Sequence, residues 1–482
     1  MARTKIVATI GPASNNAETI SEMLEAGMTV ARINFSHGNH EAHVATVRLL
    51  REVAQSKGVV LAILADLQGP KLRLGHVRVG GMQLALGDEI ALTPHPGQPA
   101  MIHLPHADLI EASSEGGRLV IGDGEIEFVI AEKKGDTLRC QVTVPGLLES
   151  RKGVSAPGTV LPISSITSKD RLDFDLIRDL DVDYVALSFV RSAADVVELR
   201  ELMASKGCDI PIIAKIEKAE AIEHLEEIIE VADGMMVARG DLGIDMPAEE
   251  VPSLQKRIIR VCNEAGKPVI TATQMLQSMV NHPRPTRAEA SDVANAILDG
   301  TDAVMLSNET ATGRHPIKSV LTMKLIAENI EKTFPYDIWR NKRHERAERQ
   351  ETVSNAISAA SCDIAEHIHA RAIVATTTSG YSARQIASHR PPMPIMAASP
   401  STKTQRQLAL VWGVDCLLVP QFFQTDEMLD VTVKALQPYR LDAGDKIVIT
   451  AGVPFGRTTT TNLIQIHNIT SDGKMGVVDD DQ

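Results

Sequence analysis

Short apolar runs alternate with amphipathic stretches of helical period along the first two-thirds of the chain. Such alternation is typical of buried parallel strands that are each followed by a helix packing on the sheet. Eight strand–helix units close most economically into a (β/α)8 TIM barrel, which is the predicted α/β fold. The eight predicted strands are Thr4–Ile10, Thr29–Asn34, Val60–Asp66, Tyr184–Phe189, Ile210–Glu217, Gly234–Ala238, Pro268–Thr273 and Ala303–Ser307.

The stretch between the third and fourth predicted strands has a different pattern. Its segments are short and alternate in polarity, with Gly-Asp and Pro-Gly pairs between them, and it is far too long for a loop. We therefore predict a small all-β barrel domain, residues 71–166, inserted at the end of the third strand, where it would form a lid. Its segments are Gln83–Leu86, Glu89–Leu92, Leu119–Ile121, Glu125–Ala131 and Thr137–Val144.

A strand–helix pattern resumes after a charged segment, Arg340–Glu351. We predict a separate C-terminal α/β domain, residues 340–482, with a mainly parallel sheet. Residues 1–70 and 167–339 then form the barrel. The strands predicted for the last domain are Ala372–Thr377, Pro394–Ala398, Cys416–Val419, Lys446–Ala451 and Asn462–Ile469.

The charge and the cysteines narrow the function classes. A net charge of -13 argues against a protein that binds nucleic acid or a membrane surface, because both need concentrated Lys and Arg. The five cysteines are scattered and form no C-x-x-C pair, so they suggest neither a disulfide framework nor a zinc site. The N-terminus leads directly into a strand and no apolar run reaches membrane-spanning length, so we predict a cytoplasmic protein.

Polar side chains follow the C-terminal ends of most predicted barrel strands, which is where the active site of such a barrel lies. A lone carboxylate there is often a helix N-cap or a surface charge. Several converging charges must be desolvated together, and without a ligand this arrangement costs stability. The residues are Arg32–His37, Asp66, Lys215–Glu217, Arg239–Asp241, Thr273 and Ser307–Glu309.

Two carboxylates and two cations form the predicted centre of this site. Side chains alternate along a strand, so Lys215 and Glu217 point to the same side. Glu217 and Asp241 follow neighbouring strands, and a pair of carboxylates suits Mg²⁺, which keeps several waters and takes further ligands from its substrate. Arg32 and Lys215 supply the positive charge that a phosphate or a developing enolate oxygen requires.

At this level of detail the chain resembles the pyruvate kinase family. The resemblance runs in order through the barrel and extends to SRKGVSAPG in the insertion and TTTSGYSARQIASHRP in the last domain. It implies Mg²⁺- or Mn²⁺-dependent transfer of the phosphoryl group of phosphoenolpyruvate to ADP, giving pyruvate and ATP. The matching barrel segments are TKIVATIGPAS, ARINFSHG, DLQGPKLR, IIAKIE, MVARGDLG, ITATQML, PTRAEASDVANAILDG and DAVMLSNET.

The resemblance also implies roles for individual residues. Glu217 and Asp241 would hold the divalent metal, while Lys215 and Arg32 would neutralise the transferring phosphate. The backbone of Gly240 and Asp241, with the Thr273 hydroxyl, would bind the substrate carboxylate at a helix start. Ser307 and Glu309 would support a water relay that protonates the enolate. The nucleotide-binding residues would be Asn34, His37, Arg73 and Lys169.

Lys71 departs from the family pattern at a monovalent-cation site. Many pyruvate kinases hold K⁺ there and carry a Glu at the position of Lys71. An ammonium group can itself supply the positive charge, so we predict that activity does not require K⁺. The alternative is that Lys71 only faces solvent at the hinge of the insertion. The other residues matching that site are Asn34, Ser36, Asp66 and the carbonyl of Leu67.

The last domain contains a hydroxyl-rich loop between a predicted strand and a helix. On residue types alone it is equally well a phosphate-binding loop or an ordinary Ser/Thr-capped helix start. The resemblance favours binding of a phosphorylated sugar or AMP, with the Gly452–Thr461 loop opposite, and implies a homotetramer. The candidate effector residues are Thr377, Thr378, Ser379, Gly380 and Ser382.

Two other functions are compatible with a charged barrel mouth. A Mg²⁺-dependent barrel lyase or aldolase also joins a carboxylate pair to an Arg and makes the enolate of pyruvate. The insertion and Lys215 argue against it. A catalytically inactive regulatory barrel is the other alternative, and the presence of every expected catalytic residue argues against that.

Overall fold

The computed structural model describes residues 2–98, 100–122, 124–349, 352–436, 439, 441–454, 461–470 and 475–477. Its strands are β1 Lys5–Thr9, β2 Val30–Asn34, β3 Ala62–Asp66, β4 Met82–Leu84, β5 Glu89–Thr93, β6 Met101–His103, β7 Arg118–Ile121, β8 Ile126–Lys134, β9 Thr137–Val144, β10 Gly146–Leu148, β11 Val154–Ser155, β12 Tyr184–Leu187, β13 Ile212–Ile216, β14 Gly234–Ala238, β15 Val269–Ala272, β16 Ala303–Leu306, β17 Ala372–Thr376, β18 Ile395–Ser399, β19 Val414–Leu418, β20 Lys446–Ala451, β21 Leu463–Ile469 and β22 Met475–Val477.

The helices surround these sheets. They are α1 Ala17–Ala26, α2 His40–Lys57, α3 Ala107–Ala112, α4 Ser168–Asp179, α5 Ala193–Ser205, α6 Ala219–Glu223, α7 Leu225–Val231, α8 Arg239–Asp245, α9 Val251–Ala265, α10 Arg287–Asp299, α11 Asn308–Ala311, α12 Pro316–Ile330, α13 Tyr336–Arg349, α14 Val353–His367, α15 Tyr381–Ser388, α16 Thr402–Leu408 and α17 Thr425–Leu436. No helix in the described part of the chain is long and apolar enough to cross a membrane.

Eight parallel strands close into a barrel, as predicted. Their order around the barrel is β1, β16, β15, β14, β13, β12, β3 and β2. The strands are buried on both faces because one face lines the barrel interior and the other packs under helices, which explains their nearly continuous apolar sequence. Every C-terminal strand end therefore lies at one rim of the barrel.

Capping residues explain where several of the surrounding helices begin and end. The side chains of Asn16 and Asn39 accept hydrogen bonds from the first turns of α1 and α2. Thr286 and Glu289 form a capping box at the start of α10. Gly27 ends α1 in the left-handed region, with φ 119°, which a residue without a Cβ adopts at little cost.

The insertion is mainly β and has its own apolar core, but it also contains one short helix, α3, that the sequence pattern did not indicate and that contributes Leu109 and Ile110 to this core. Six strands form one sheet in the order β11, β7, β8, β9, β5 and β6, and β4 pairs with β10 in a second sheet. Leu92, Leu119 and Phe128 are among the fully buried side chains between them. The sequence pattern did not indicate β6, β10 and β11, because segments of two or three residues carry too few alternating positions to be recognised.

The C-terminal unit is an α/β sheet in the order β19, β18, β17, β20, β21 and β22. The first four strands are parallel and the last two are antiparallel. The charged segment predicted to separate this unit from the barrel lies mostly in helix α13, and its last two residues, Gln350 and Glu351, lie outside the described residues. The fold class predicted from the sequence is thus confirmed.

Candidate active site

A compact group of buried charges occupies the barrel rim between β2, β3 and β13. The guanidinium of Arg32 contacts Asp66 Oδ2 through Nε and through Nη2, each at 2.7 Å. The ammonium of Lys215 lies 3.5 Å from Asp66 Oδ1 and 2.8 Å from Glu217 Oε1. These four side chains are at most 12% exposed, so the two cations and two carboxylates compensate each other away from water.

Burial and neighbouring charges shift the ionisation of this group. Burial raises the pKa of Glu217 to about 7, against the lowering effect of Lys215. Burial also disfavours the ionised form of Asp66, but Lys215 and Arg32 outweigh it and hold the pKa of Asp66 below its usual value. Burial would lower the pKa of Lys215, and the carboxylates of Asp66, Glu217 and Asp241 reverse this and raise it. Lys215 is therefore a permanent cation at this rim.

Glu217 and Asp241, the two predicted metal ligands, line one cavity at the barrel rim. Glu217 is buried, and although its Oε1 pairs with Lys215, that oxygen accepts no hydrogen bond of good geometry from the described residues. Asp241 is exposed and lines the same cavity. No group of three or more His, Cys, Asp or Glu side chains suited to a metal occurs among the residues described. A carboxylate pair of this kind fits Mg²⁺ or Mn²⁺ completed by water and substrate oxygens.

This cavity has a volume of about 310 Å³ and lies between the barrel rim and the insertion. That volume is within the range of small-molecule sites. The cavity is lined both by the carboxylate pair and by the predicted nucleotide-binding residues His37 and Arg73. Burial lowers the pKa of His37, and the charges of Lys71, Arg73, Arg32 and Lys169 lower it further. The cavity lining is His37, Lys71, Leu72, Arg73, Gly122, Gly153, Val154, Ser155, Phe189, Glu217, Lys218, Asp241 and Ile244.

Thr273 lies beside the start of α8. Its Oγ1 accepts the Gly240 backbone N–H at 2.7 Å and donates to the carbonyl of Ala272 at 2.6 Å. Its φ is 68°, a left-handed conformation that costs free energy for a β-branched residue. Arg239 holds this backbone by donating to the carbonyl of Thr273 at 2.9 Å, while Asp292 pairs with Arg239. Sequence reasoning placed Arg239 among the strand-end residues without assigning it a role, and it did not single out Asp292.

Glu309 links the ends of β15 and β16. Its carboxylate is fully buried and accepts the backbone N–H of Ser307 at 2.7 Å and that of Leu276 at 3.1 Å. Ser307 directly follows β16, so both residues of the predicted relay lie at the rim beside the loop that follows Thr273. The contacts of Glu309 thus join the end of β16 to the loop that follows β15.

The other predicted residues form an outer group at the same rim. Asn34 Oδ1 accepts the backbone N–H of Ser36 at 3.0 Å. Lys169 donates to the carbonyl of Phe35 at 2.7 Å. The carbonyl of Leu67 accepts the hydroxyl of Ser188 at 2.8 Å. Lys71 lines the 310 Å³ cavity and also a neighbouring cavity of about 650 Å³.

Ser188 is a site residue that sequence reasoning missed. Its Oγ accepts a hydrogen bond from Lys215 Nζ at 2.7 Å and lies 3.5 Å from Asp66 Oδ1. It follows β12 directly, so the rule that selected polar residues at other strand ends would also have found it. Ser188 completes the ring of partners that holds the Lys215 ammonium.

The hydroxyl-rich loop of the C-terminal unit is stabilised by its own hydrogen bonds. Thr377 Oγ1 accepts the backbone N–H of Gly380 at 2.9 Å, and Thr404 Oγ1 donates to the carbonyl of Thr378 at 2.7 Å. Ser382 Oγ lies 2.5 Å from Thr461 Oγ1. Residues 455–460 of the loop predicted opposite are outside the part of the chain that the structure describes.

Comparisons with known proteins agree over nearly the whole chain. A family model described as the barrel domain of pyruvate kinase matches residues 1–320, and one described as the alpha/beta domain of pyruvate kinase matches residues 355–467. The pyruvate kinase of Geobacillus stearothermophilus is 45% identical over 473 residues, 97% of this chain and 80% of that protein. Pyruvate kinase 2 of Synechocystis sp. is 46% identical over 474 residues, 96% of this chain and 79% of that protein. The crystal structure of a pyruvate kinase from Cryptosporidium parvum has a TM-score of 0.91 at 34% identity, covering 97% of this chain and 96% of its own.

Proposed function

We propose that this chain, which belongs to the pyruvate kinase family, carries out the phosphoryl transfer of that family through Arg32, Lys215, Glu217 and Asp241. The reaction moves the phosphoryl group of phosphoenolpyruvate to ADP and gives pyruvate and ATP. The observation that carries the assignment of residues is the meeting of two cations and two carboxylates at the barrel rim beside a 310 Å³ cavity.

Phosphoryl transfer needs positioning and charge neutralisation more than covalent chemistry. Lys215, kept cationic by three carboxylates, would neutralise the phosphoryl group and the enolate oxygen as charge shifts between them. Arg32 would hold the same phosphate from the other side. Glu217 and Asp241 would hold Mg²⁺ or Mn²⁺, which when bound supplies further positive charge to phosphate oxygens.

The substrate carboxylate would bind near the start of α8, at the backbone of Gly240 and Asp241 with the Thr273 hydroxyl. In the described conformation the Gly240 N–H donates to Thr273, so binding there exchanges this hydrogen bond for one to the substrate. Ser307 and Glu309 would support the water relay that protonates the enolate carbon.

The nucleotide would bind at the insertion side of the cavity, near Asn34, His37, Arg73 and Lys169. The concentration of cations around His37 supports this, because ADP brings several negative charges. The insertion, residues 71–166, would close over the nucleotide and exclude water. Small-angle scattering tests closure: we expect a smaller radius of gyration with Mg²⁺ and both substrates, and an unchanged radius would contradict it.

We further propose that Lys71 replaces the monovalent cation and that turnover does not depend on K⁺. Lys71 is exposed, but it lines the cavity and its charge contributes to the lowered pKa of His37, and both observations support a role at the site. Turnover is measured in tetramethylammonium buffer with and without K⁺, and we expect equal rates. In Lys71→Glu, added K⁺ should stimulate turnover. A large stimulation of the unmodified protein would refute the replacement.

The remaining proposals concern the C-terminal unit and assembly. We propose that the loop of Thr377, Thr378, Ser379, Gly380 and Ser382 binds a phosphorylated sugar or AMP, and that the protein is a cytoplasmic homotetramer. The position of the loop between β17 and α15 supports effector binding, and the five cysteines without disulfide bonds support the compartment. The homotetramer rests on the family resemblance alone. Sedimentation velocity tests the tetramer, and calorimetric titration with AMP or a phosphorylated sugar tests effector binding.

A coupled assay of pyruvate formation tests the residue assignments. We expect activity only when phosphoenolpyruvate, ADP and Mg²⁺ are all present. Lys215→Met should lower kcat by about 10³-fold or more, since it removes a charge aimed at the reacting group. The control, Lys318→Met, changes an exposed lysine on α12 and should leave kcat unchanged. If the two variants have equal kcat, Lys215 takes no part in the reaction.

A further inference from the structure

The two carboxylates assigned to the metal lie on separate segments that the barrel ladder does not connect directly. The parallel pairing of β13 with β14 ends at Ile216 opposite Val237, one residue before Glu217. Asp241 lies beyond the end of β14, in the short helix α8. The distance between these carboxylates therefore depends on contacts made beyond the last paired residues of β13 and β14.

Asp245, the last residue of α8, makes such a contact. One of its carboxylate oxygens accepts the backbone N–H of Ala219 at 2.7 Å, and the other pairs with Lys218 Nζ at 3.0 Å. Its side chain is only 3% exposed. Ala219 and Lys218 directly follow Glu217 in the chain, so Asp245 joins α8 to the segment that carries Glu217.

Helix geometry makes this contact relevant to Asp241. Residues four apart lie on the same face of a helix, which places Asp241 and Asp245 one above the other on α8. Asp241, Glu217 and Lys218 line the same cavity. A carboxylate that accepts a backbone N–H and pairs with an ammonium is held in a fixed orientation. Asp245 thus fixes the face of α8 that presents Asp241.

We propose that Asp245 is a positioning residue that sets the separation of Glu217 and Asp241 for the divalent cation. The proposal rests on the proposed function, because it takes these two carboxylates as the metal ligands. If Asp245 made only a structural ion pair, its removal would lower stability and leave the metal affinity of the folded protein unchanged. Metal affinity distinguishes the two cases.

The test measures Mn²⁺ binding to the full chain without substrates, by electron paramagnetic resonance of free Mn²⁺. In Asp245→Ala both contacts are lost, and we expect the Kd for Mn²⁺ to rise by about 10-fold, as is usual when a residue that supports metal ligands is removed. Asp245→Asn can still accept the Ala219 N–H but loses the charge paired with Lys218, so its Kd should rise by a smaller factor. Circular dichroism and Tm verify folding of each variant.

The matched control is Asp233→Ala, which removes a carboxylate that likewise accepts a backbone N–H, that of Ile212 at 2.9 Å, and pairs with a cation, Arg200, at 2.8 Å. It lies immediately before β14, at the opposite end of the same two strands from the metal pair. Its Kd for Mn²⁺ should equal that of the unmodified protein. If Asp245→Ala does not fold, the test rests on Asp245→Asn alone. A Kd for Mn²⁺ of that variant equal, within error, to that of the unmodified protein overturns the proposal. A rise of Kd in Asp233→Ala equal to that in the Asp245 variants would also overturn it.

Two reference variants separate this proposal from the proposed function. Glu217→Gln and Asp241→Asn should each abolish measurable Mn²⁺ binding. If they do so while the Asp245 variants bind normally, the positioning role is wrong and the metal assignment stands. If Glu217→Gln and Asp241→Asn bind Mn²⁺ normally, the metal assignment itself is wrong.

Discussion

The carboxylate of Asp66 determines how Arg32 and Lys215 can both be buried at the barrel rim. It is 1% exposed and contacts both cations, so it offsets the desolvation of two charges with one. Glu217 supplies the second negative charge to Lys215. Replacing Asp66 by Asn therefore leaves two buried cations, Arg32 and Lys215, with Glu217 as the one remaining carboxylate of this group.

We predict that Asp66→Asn lowers the free energy of unfolding of the barrel by about 3 kcal/mol, the usual cost of breaking a buried ion pair. It should also abolish most pyruvate formation, because Arg32 loses the partner that orients it. Urea unfolding followed by circular dichroism gives the first value. Glu198→Gln breaks a partly exposed pair with Arg171 and should cost less than about 1 kcal/mol. Equal losses of unfolding free energy in the two variants would contradict the inference that Asp66 compensates two buried cations.

At the level of residues, strand ends were predictable and contacts between loops were not. Arg32, Asp66, Lys215 and Glu217 follow apolar runs whose ends can be counted in the sequence. Asp245 is different, because its partners on the segment after β13 are set by how α8 packs against the rim. Nor does a sequence pattern reveal the left-handed backbone of Thr273, which the neighbouring Arg239 maintains.

Helix α13 shows the same limit at the level of elements. The barrel strands were predictable because burial on both faces requires apolar residues throughout. The buried face of α13 instead carries Arg343 and Arg346, so no apolar period indicated a helix. Arg343 pairs with Glu366 of α14 at 2.6 Å, and His389 at the end of α15 is buried near both arginines. Ion pairs therefore hold α13 against the C-terminal unit, and a hydrophobic pattern does not indicate ion pairs.

The buried His389 predicts a pH dependence of stability. Burial lowers the pKa of His389 well below its usual value, and Arg346, Arg343 and Arg390 lower it further. The unfolded chain binds a proton near pH 6.5 and the folded chain does not, so stability is full above that pH and falls as the pH decreases. The contribution is at most about 1.4 kcal/mol per pH unit.

His389→Gln should flatten the fall of Tm between about pH 7.5 and pH 5, because it removes this proton. Scanning calorimetry at several pH values measures the slope. His344→Gln, at an exposed histidine of α13, serves as the control and should keep the original slope. The prediction fails if both variants show the slope of the unmodified protein.

On the scale of the whole molecule, the C-terminal unit covers the N-terminal end of the barrel. Leu410 packs against the apolar interior of the barrel, and the hydroxyl of Tyr184 donates to the carbonyl of Gln407 at 2.8 Å. Both tryptophans of the chain lie in this region, where Arg390 is 5.0 Å from the ring of Trp412 and 5.6 Å from that of Trp339. Their fluorescence therefore reports contact between the barrel and the C-terminal unit.

Asp183 is a buried charge that joins the two units at this interface. It is fully buried and accepts from Arg51 of α2 at 2.6 Å and from Arg406 of α16 at 2.7 Å. Asp183→Asn should lower the free energy of unfolding by about 3 kcal/mol and shift tryptophan emission to longer wavelength as water reaches the rings. Asp181 contacts the same two arginines but is 60% exposed, so Asp181→Asn should cost less than about 1 kcal/mol and leave the emission unchanged. The two carboxylates share both arginines, and Asp183 also accepts the backbone N–H of Ile63 at 2.8 Å, so a difference between the variants reports the buried contacts of Asp183. Identical emission spectra would place the coupling of the two units elsewhere.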